Sequence, residues 1–310
     1  MPDAPTLNRR HFLQNLLGLG AILLPGNRAI GANRPGRIVR TIPATRESLP
    51  VIGMGSWQTF DIGANRHALQ TRIEILRTFF GNGGALIDSS PMYGSSEEVI
   101  GYCLKHLNNT AALFSATKVW TWGKQSGVNQ MELSRKLWGV ERIDLMQIHN
   151  LLDWESHLET LKAMKADGKI RYLGITTSHG RRHDELVKAL TNHQFDFVQF
   201  TYNIREREAE QRLLPLAKER GTAVIINRPF DGGDLFDAVR GKPLPAWAAD
   251  IDCRNWAQFF LKFIVSHPAV TCAIPATSRV EHMKENMGAG IGRLPDEKTR
   301  QRMIAYFRNF

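Results

Sequence analysis

Eight short apolar runs that alternate with helical patterns are the feature that most constrains how this sequence folds. The runs occupy residues 51–57, 85–87, 113–117, 143–148, 171–175, 195–200, 223–226 and 270–274. The helical patterns that follow them occupy residues 66–80, 96–107, 129–138, 154–166, 183–192, 209–220, 255–265 and 280–287. Strands that alternate with helices predict a parallel sheet. Eight such units favour a closed (β/α)8 TIM barrel, an α/β fold, over an open doubly wound sheet.

We expect one domain in residues 33–310, because this stretch contains no linker and no low-complexity insert. The sequence also predicts a short hairpin in residues 37–50, a long irregular loop in residues 230–254 and a terminal helix in residues 294–310. The first strand leaves through residues 53–57 (GMGSW), without the later glycine of the dinucleotide motif that open sheets carry. This absence again favours the closed barrel.

Residues 1–32 resemble a bacterial twin-arginine export signal. Arg9 and Arg10 precede a mildly apolar run, residues 16–24, and small residues follow as far as Ala32. The run is too short to span a bilayer and matches the apolar region of a cleaved signal. We therefore expect an exported, periplasmic protein that uses the twin-arginine export machinery and has no stable membrane span. The alternative is an amphipathic N-terminal helix with two chance arginines, in a cytoplasmic protein.

Charge and cysteine content argue against several classes of protein. The formal net charge is +10, but the Lys and Arg residues are scattered, whereas a nucleic-acid site needs a clustered basic stripe. A basic balance suits an anionic, phosphate-bearing cofactor equally well. Cys103, Cys253 and Cys272 form neither a zinc spacing nor a disulfide framework. We expect them to be buried core residues, and we expect no metal site.

Four ionisable residues lie at or just past the ends of three successive predicted strands. Asp88 and Tyr93 follow the second run, Lys118 follows the third and His149 follows the fourth. The strand ends of a parallel barrel open onto one face, and that face holds the active site. We therefore expect a carboxylate, a phenol, an ammonium and an imidazole to converge in a proton-transfer site.

These residue types suit the reduction of a carbonyl group. A phenol has a pKa of about 10, and a neighbouring ammonium favours the phenolate and lowers that pKa. Lys118 would act on Tyr93 in this way, with Asp88 as its counter-charge, while His149 would hydrogen-bond a carbonyl oxygen. Together they would protonate an alkoxide as it forms. The sequence places no thiol and no metal cluster at a strand end, so the hydride would come from a cofactor.

The chain resembles the aldo-keto reductase family over nearly all of its length after the signal. The motifs that carry the resemblance are residues 53–57, 86–94 (LIDSSPMYG), 117–118 and 143–149 (IDLMQIH). The family's catalytic tetrad maps without substitution onto Asp88, Tyr93, Lys118 and His149. The resemblance implies that a small-molecule aldehyde or ketone is reduced to an alcohol, with Tyr93 as general acid.

The resemblance also implies an NADP(H) site, with departures from the family pattern. Thr176 and Thr177 replace a Ser-Asn pair after the fifth strand, and Asn227 stands where the family often stacks an aromatic ring on the nicotinamide. Arg228 is expected at the pyrophosphate. Arg279 favours NADP(H) over NAD(H), because it can pair with the 2′-phosphate that only NADP(H) carries. The other implied cofactor contacts are Ser56, Trp57, Gln199, Thr277, Ser278, Glu285 and Asn286.

Aromatic residues that follow strand ends predict the substrate pocket. Trp57, Trp120 and Trp122 would wall an apolar pocket, and the alternative for all three is ordinary packing under loops. We interpret the remaining tryptophans as packing residues: Trp138, Trp154, Trp247 and Trp256. Three histidines are expected at the surface: His106, His157 and His193.

Two functions remain open from the sequence. The first is an NADP(H)-dependent oxidoreductase, which the intact tetrad favours. The second is a catalytically weak, nucleotide-binding regulatory or structural protein on the same fold, which Asn227 and Thr177 favour.

Overall fold

The computed structural model describes residues 36–310, so the export signal predicted in residues 1–32 lies outside the described residues. An antiparallel hairpin comes first, as the sequence predicts: β1 (Val39–Thr41) pairs with β2 (Ser48–Pro50). An eight-stranded parallel sheet follows. Its strands are β3 (Met54–Gly55), β4 (Leu86–Asp88), β5 (Phe114–Val119), β6 (Ile143–Ile148), β7 (Ile170–Thr176), β8 (Phe197–Thr201), β9 (Ala223–Asn227) and β10 (Cys272–Ala273).

Backbone hydrogen bonds close this sheet into a barrel. The strands pair in chain order from β3 to β10. The two ends of the sheet then meet, because the amide of Gly53 donates to the carbonyl of Ala273 at 2.8 Å and the amide of Ala273 donates to that of Val51 at 2.9 Å. The predicted (β/α)8 TIM barrel is confirmed. Its closure brings the carboxyl ends of the eight strands to one face.

Helices connect the strands and cover the outside of the barrel. They are α1 (Arg66–Gly81), α2 (Ser96–Lys105), α3 (Lys124–Trp138), α4 (Trp154–Ala166), α5 (His183–Asn192), α6 (Leu213–Glu219), α7 (Asp234–Ala238), α8 (Trp256–Val265), α9 (Val280–Gly288) and α10 (Glu297–Phe307). Within residues 36–310, no helix is both long and apolar enough to cross a membrane.

Element boundaries differ from the sequence pattern where local chemistry overrides periodicity. Helix α3 begins at Lys124, earlier than predicted. The prediction missed its first turn because that turn is polar and has no apolar periodicity. Helix α6 begins at Leu213, later than predicted, because Pro215 is incompatible with a helical carbonyl four residues before it. Lys118 lies inside β5 rather than just past its end. The loop in residues 230–254 contains the short helix α7.

Aromatic rings fill the amino-terminal end of the barrel, and the hairpin covers them. Phe114, Tyr172 and Phe197 are buried inside the barrel, with ring centroids 5.4–5.9 Å apart. Ile42 and Leu49 from the hairpin region pack into the same buried cluster. This end is therefore filled with side chains, and the carboxyl-terminal face is left for ligand binding.

Several packing predictions can be compared with this fold. The three cysteines are buried, as expected. The four tryptophans interpreted as packing residues are buried or lie against the core. The prediction for His157 was wrong, because this residue is fully buried on the inner face of α4. Its Nε2 lies 2.8 Å from the carbonyl oxygen of Thr121 and so ties α4 to the loop after β5. A polar side chain with one specific backbone partner is not recognisable from helical periodicity.

Candidate active site

The ends of β4, β5 and β6 bring the four predicted tetrad residues together. The Nζ of Lys118 lies 2.5 Å from Oδ2 of Asp88 and 2.7 Å from the carbonyl oxygen of Ser89. The same Nζ lies 5.2 Å from the ring centroid of Tyr93. The rings of Tyr93 and His149 meet edge to face, with centroids 5.7 Å apart and planes at 84°. Phenol, ammonium, carboxylate and imidazole thus form one contiguous group.

Two glutamine side chains complete the surroundings of Asp88. The Nε2 of Gln147 donates to Oδ1 of Asp88 at 2.8 Å, and the Nε2 of Gln199 donates to the same oxygen at 3.0 Å. Gln147 was not among the predicted site residues. The sequence feature that could have indicated Gln147 is its side-chain amide in the otherwise apolar end of β6. In the structure it is in register with Lys118 of β5. Both carboxylate oxygens are therefore hydrogen-bonded, which a buried ion pair requires.

Burial dominates the electrostatics of the site. Burial lowers the pKa of His149 to about 2, and the charge of Lys118 acts in the same direction, so the imidazole is neutral at physiological pH. Burial alone would lower the pKa of Lys118, but the Asp88 carboxylate and the Tyr93 oxygen raise it, so the ammonium stays charged. The sequence predicted a lowered pKa for Tyr93. The structure corrects this, because burial raises the pKa of Tyr93 and the opposing charge of Lys118 does not overcome it.

A cavity of about 410 Å³ opens above this group at the carboxyl ends of the strands. Tyr93, His149 and Asp88 line its base, and Lys118 lies beneath it. The predicted cofactor contacts that also line the cavity are Ser56, Trp57, Thr176, Gln199, Asn227 and Arg228. The lining includes further residues that the sequence pattern did not indicate: Met92, Asn150, His179, Arg181, Phe230 and Phe236. The conformation of the loops brings these residues to the mouth of the cavity, and a periodic sequence pattern cannot predict that conformation.

Hydrogen bonds hold Asn227 at the end of β9. Its Nδ2 donates to the carbonyl of Thr177 at 2.9 Å and to Oε1 of Gln199 at 3.3 Å. Its Oδ1 accepts from the hydroxyl of Thr201 at 2.7 Å. Thr177 does not line the cavity, and its hydroxyl donates to the carbonyl of Arg181 at 2.5 Å. The Asn227 amide is therefore part of a network that joins three strand ends.

The loop after β10 and helix α9 carry the other predicted cofactor residues. The amide of Arg279 donates to Oγ1 of Thr277 at 3.1 Å. The side chains of Ser278 and Arg279 are exposed, whereas Asn286 is buried in α9 beside the partly buried Glu285. These five residues do not line the cavity at the base of the site. They stand beyond Ala276, which does line it.

The three tryptophans predicted at the substrate pocket lie at different places. Trp57 lines the cavity and is 38% exposed. Trp120 has its ring centroid 6.4 Å from that of His149 but does not line the cavity. Trp122 is 70% exposed and is also absent from the cavity wall. In residues 36–310, no group of three or more His, Cys, Asp or Glu side chains is placed to hold a metal ion.

Known proteins are similar to this chain in sequence and in fold. A model described as the aldo/keto reductase family matches residues 51–302. The aldo-keto reductase YhdN of Bacillus subtilis is 29% identical over 190 residues, which cover 56% of this chain and 56% of that protein. This chain thus spans about half the length of the curated relatives of this kind that it matches.

Two solved structures from Klebsiella pneumoniae have a similar fold. An aldo/keto reductase in complex with NADP and acetate is 24% identical, with a TM-score of 0.72, covering 84% of this chain and 93% of that chain. An aldo-keto reductase in complex with NADPH is 23% identical, with a TM-score of 0.73, covering 88% of this chain and 96% of that chain.

Proposed function

Because the chain belongs to the aldo/keto reductase family, we propose that it reduces an aldehyde or ketone to an alcohol with NADP(H), with Tyr93 as general acid. The observation that carries the proposal is the placement of Tyr93 and His149, edge to face at the base of a cavity, directly above the buried pair of Lys118 and Asp88. The NADP and NADPH complexes of the two structural relatives support this cofactor.

On this geometry we assign a separate task to each tetrad residue. Tyr93 lines the cavity, and its hydroxyl gives its proton to the carbonyl oxygen of the substrate as negative charge develops there. Lys118 then stabilises the phenolate, and Asp88 keeps Lys118 charged. His149, being neutral, orients the carbonyl oxygen by a hydrogen bond rather than by charge. When bound, NADP(H) supplies the hydride.

The polar groups of the cavity fit a nicotinamide cofactor. Both Nε2 protons of Gln199 are used by Asp88 and Gln147, but its Oε1 accepts one bond, from Asn227, and keeps a lone pair for an amide donor. Arg228 lies at the cavity wall and suits a pyrophosphate. The exposed Ser278 and Arg279, next to the buried Thr277, suit a 2′-phosphate, with Glu285 and Asn286 nearby on α9 for the adenine.

Arg279→Ala is expected to weaken NADPH binding by about tenfold, the order of one charge-assisted hydrogen bond at an exposed site. The Kd for NADH should stay nearly unchanged, because NADH lacks the 2′-phosphate. Fluorescence titration with both cofactors measures the two constants. Arg46→Ala, an exposed arginine on the opposite end of the barrel, is the control and should change neither. An equal loss for both cofactors, or no loss, would remove Arg279 from the 2′-phosphate site.

The test of the proposed function is a fluorescence titration of the purified protein with NADPH, followed by a panel of aldehydes and ketones. We expect tight binding and NADPH oxidation that depends on at least one carbonyl compound. The second candidate, a catalytically weak nucleotide-binding protein, is favoured by the way Asn227 is fixed in the strand-end network in place of a stacking aromatic ring. Binding of NADPH without turnover of any carbonyl in the panel would favour this alternative.

We further propose that the protein is exported through the twin-arginine machinery, on the sequence pattern of residues 1–32 alone. Changing Arg9 and Arg10 together to Lys should keep the full-length protein in the cytoplasm. The unchanged protein should appear in the periplasm, shortened by about thirty residues, as expected for signal removal. Fractionation and immunoblotting in a host with a working twin-arginine system measure both. If both proteins stay cytoplasmic and uncut, the segment is not an export signal.

A further inference from the structure

Ser90 makes a side-chain contact with the imidazole of His149 that the tetrad does not account for. Ser90 lies in the loop between β4 and Tyr93, and both Ser90 and His149 are buried. The Oγ of Ser90 lies 2.9 Å from Nδ1 of His149. The same Oγ accepts a hydrogen bond from the amide of Met92 at 3.2 Å. The carbonyl of Ser90 accepts from the backbone amide of Tyr93 at 3.0 Å, so Ser90 contacts the side chain of His149 and the backbone of Tyr93.

The protons that the two side chains carry determine the direction of the hydrogen bond between Ser90 and His149. A neutral imidazole carries its proton on one ring nitrogen only, and burial beside Lys118 keeps this imidazole neutral. If Nδ1 carried the proton, Ser90 would accept it as well as the amide proton of Met92. Its own buried hydroxyl proton would then have no acceptor in the described part of the chain. If Ser90 donates to Nδ1, the hydroxyl of Ser90, Nδ1 of His149 and the amide of Met92 all have partners, which is the arrangement that buried groups adopt.

The remaining ring nitrogen then has a defined role. Nε2 of His149 has no hydrogen-bond partner within residues 36–310, and His149 lines the cavity. With Nδ1 as acceptor, Nε2 carries the proton and presents it to the cavity beside Tyr93. In the opposite tautomer Nε2 would present a lone pair, which repels a carbonyl oxygen.

We propose that Ser90 is a positioning residue that donates its hydroxyl proton to Nδ1 of His149 and so fixes the imidazole as an Nε2–H donor toward the substrate carbonyl. The inference rests on the proposed carbonyl reduction for its use, but the tautomer itself is a property of the protein without substrate. Ser90 acts through His149 and does not touch the reacting atoms.

The tautomer is measured by two-bond ¹H–¹⁵N correlation spectra of the full chain labelled with ¹⁵N-histidine, with His149 identified by the signal lost in His149→Gln. We expect the proton on Nε2 in the unsubstituted protein. Ser90→Ala should move His149 toward the Nδ1-protonated form or a mixture, and Ser90→Thr, which keeps the hydroxyl, should restore Nε2–H. Ser134→Ala removes another buried serine hydroxyl, bonded to Glu97 away from the cavity, and should leave the tautomer unchanged.

Kinetics provide the second readout. Ser90→Ala should lower kcat/KM for carbonyl reduction by about tenfold, the factor that corresponds to about 1.4 kcal/mol, while the Kd for NADPH is unchanged. Ser90→Thr should recover the rate together with the tautomer. A proton on Nδ1 in the unsubstituted protein would overturn the inference, as would a Ser90→Ala variant with unchanged tautomer. If the protein reduces no carbonyl, the proposed function fails while the spectra still decide the role of Ser90.

Discussion

Tyr93→Phe is expected to lower kcat for carbonyl reduction by about 10²- to 10⁴-fold, the range that a positioned general acid contributes. The substitution removes only the phenolic hydroxyl and leaves the ring that packs edge to face on His149. Among the residues of the described part of the chain that line the cavity, Tyr93 is the only tyrosine, and its ring lies over the Nζ of Lys118. Steady-state kinetics with the best carbonyl of the panel measure the loss, and a fluorescence titration should show an unchanged Kd for NADPH.

Tyr102→Phe is the matched control for this substitution. Tyr102 lies on α2, is 43% exposed and stacks on His106 rather than on any tetrad residue. Loss of its hydroxyl should leave kcat and KM as they are. Retention of more than a tenth of the original kcat in Tyr93→Phe would contradict the general-acid assignment, whatever the control shows.

Lys118→Met is expected to lower both catalysis and stability. The variant leaves the Asp88 carboxylate buried without its counter-charge, and breaking a buried pair in this way costs about 3–5 kcal/mol in the free energy of unfolding. Urea unfolding measures that cost. kcat should fall by about 100-fold or more, because the phenolate formed at Tyr93 loses its stabilising ammonium.

A double variant separates the two effects of Lys118. In Asp88→Asn with Lys118→Met no unpaired charge remains, so most of the lost stability should return, whereas kcat should stay low. Lys105→Met, at the exposed end of α2, is the control for loss of a lysine charge and should alter neither quantity. A single Lys118→Met variant as stable as the unsubstituted protein would contradict the described ion pair, and recovery of kcat in the double variant would contradict the catalytic role of Lys118.

The sequence predicted the barrel well because its signals are local and repeated. The strand predicted at residues 143–148 and the helices predicted at residues 154–166 and 183–192 coincide with β6, α4 and α5. The strands predicted at residues 51–57 and 270–274 shrink to the two-residue β3 and β10, because these segments meet each other through isolated bridges rather than a continuous ladder. Pro215, rather than the apolar period, fixes the start of α6.

The positions of the tetrad residues were predictable from the sequence, whereas the pKa of Tyr93 was not. Ionisable residues next to strand ends are visible in the sequence, and the topology of a parallel barrel then brings Asp88, Lys118 and His149 together. The pKa of Tyr93 was not predictable, because it depends on the balance between burial and the charge of Lys118 in three dimensions. Ser90 is an ordinary polar residue in the sequence, and Gln147 is marked only as a lone amide in an apolar strand, so their contacts with His149 and Asp88 become visible only in the structure.

Transfer of deuterium from C4 of NADPH to a carbonyl carbon tests the central claim most directly. The protein would be given NADPH doubly deuterated at that carbon, in ordinary water, with the best carbonyl compound of the panel. Mass spectrometry and NMR of the alcohol should find one deuterium on the carbinol carbon, because in the proposed reaction the hydride comes from the cofactor and the hydroxyl proton from Tyr93. A protein that binds this NADPH but yields no deuterated alcohol from any carbonyl in the panel would contradict the proposed reductase activity.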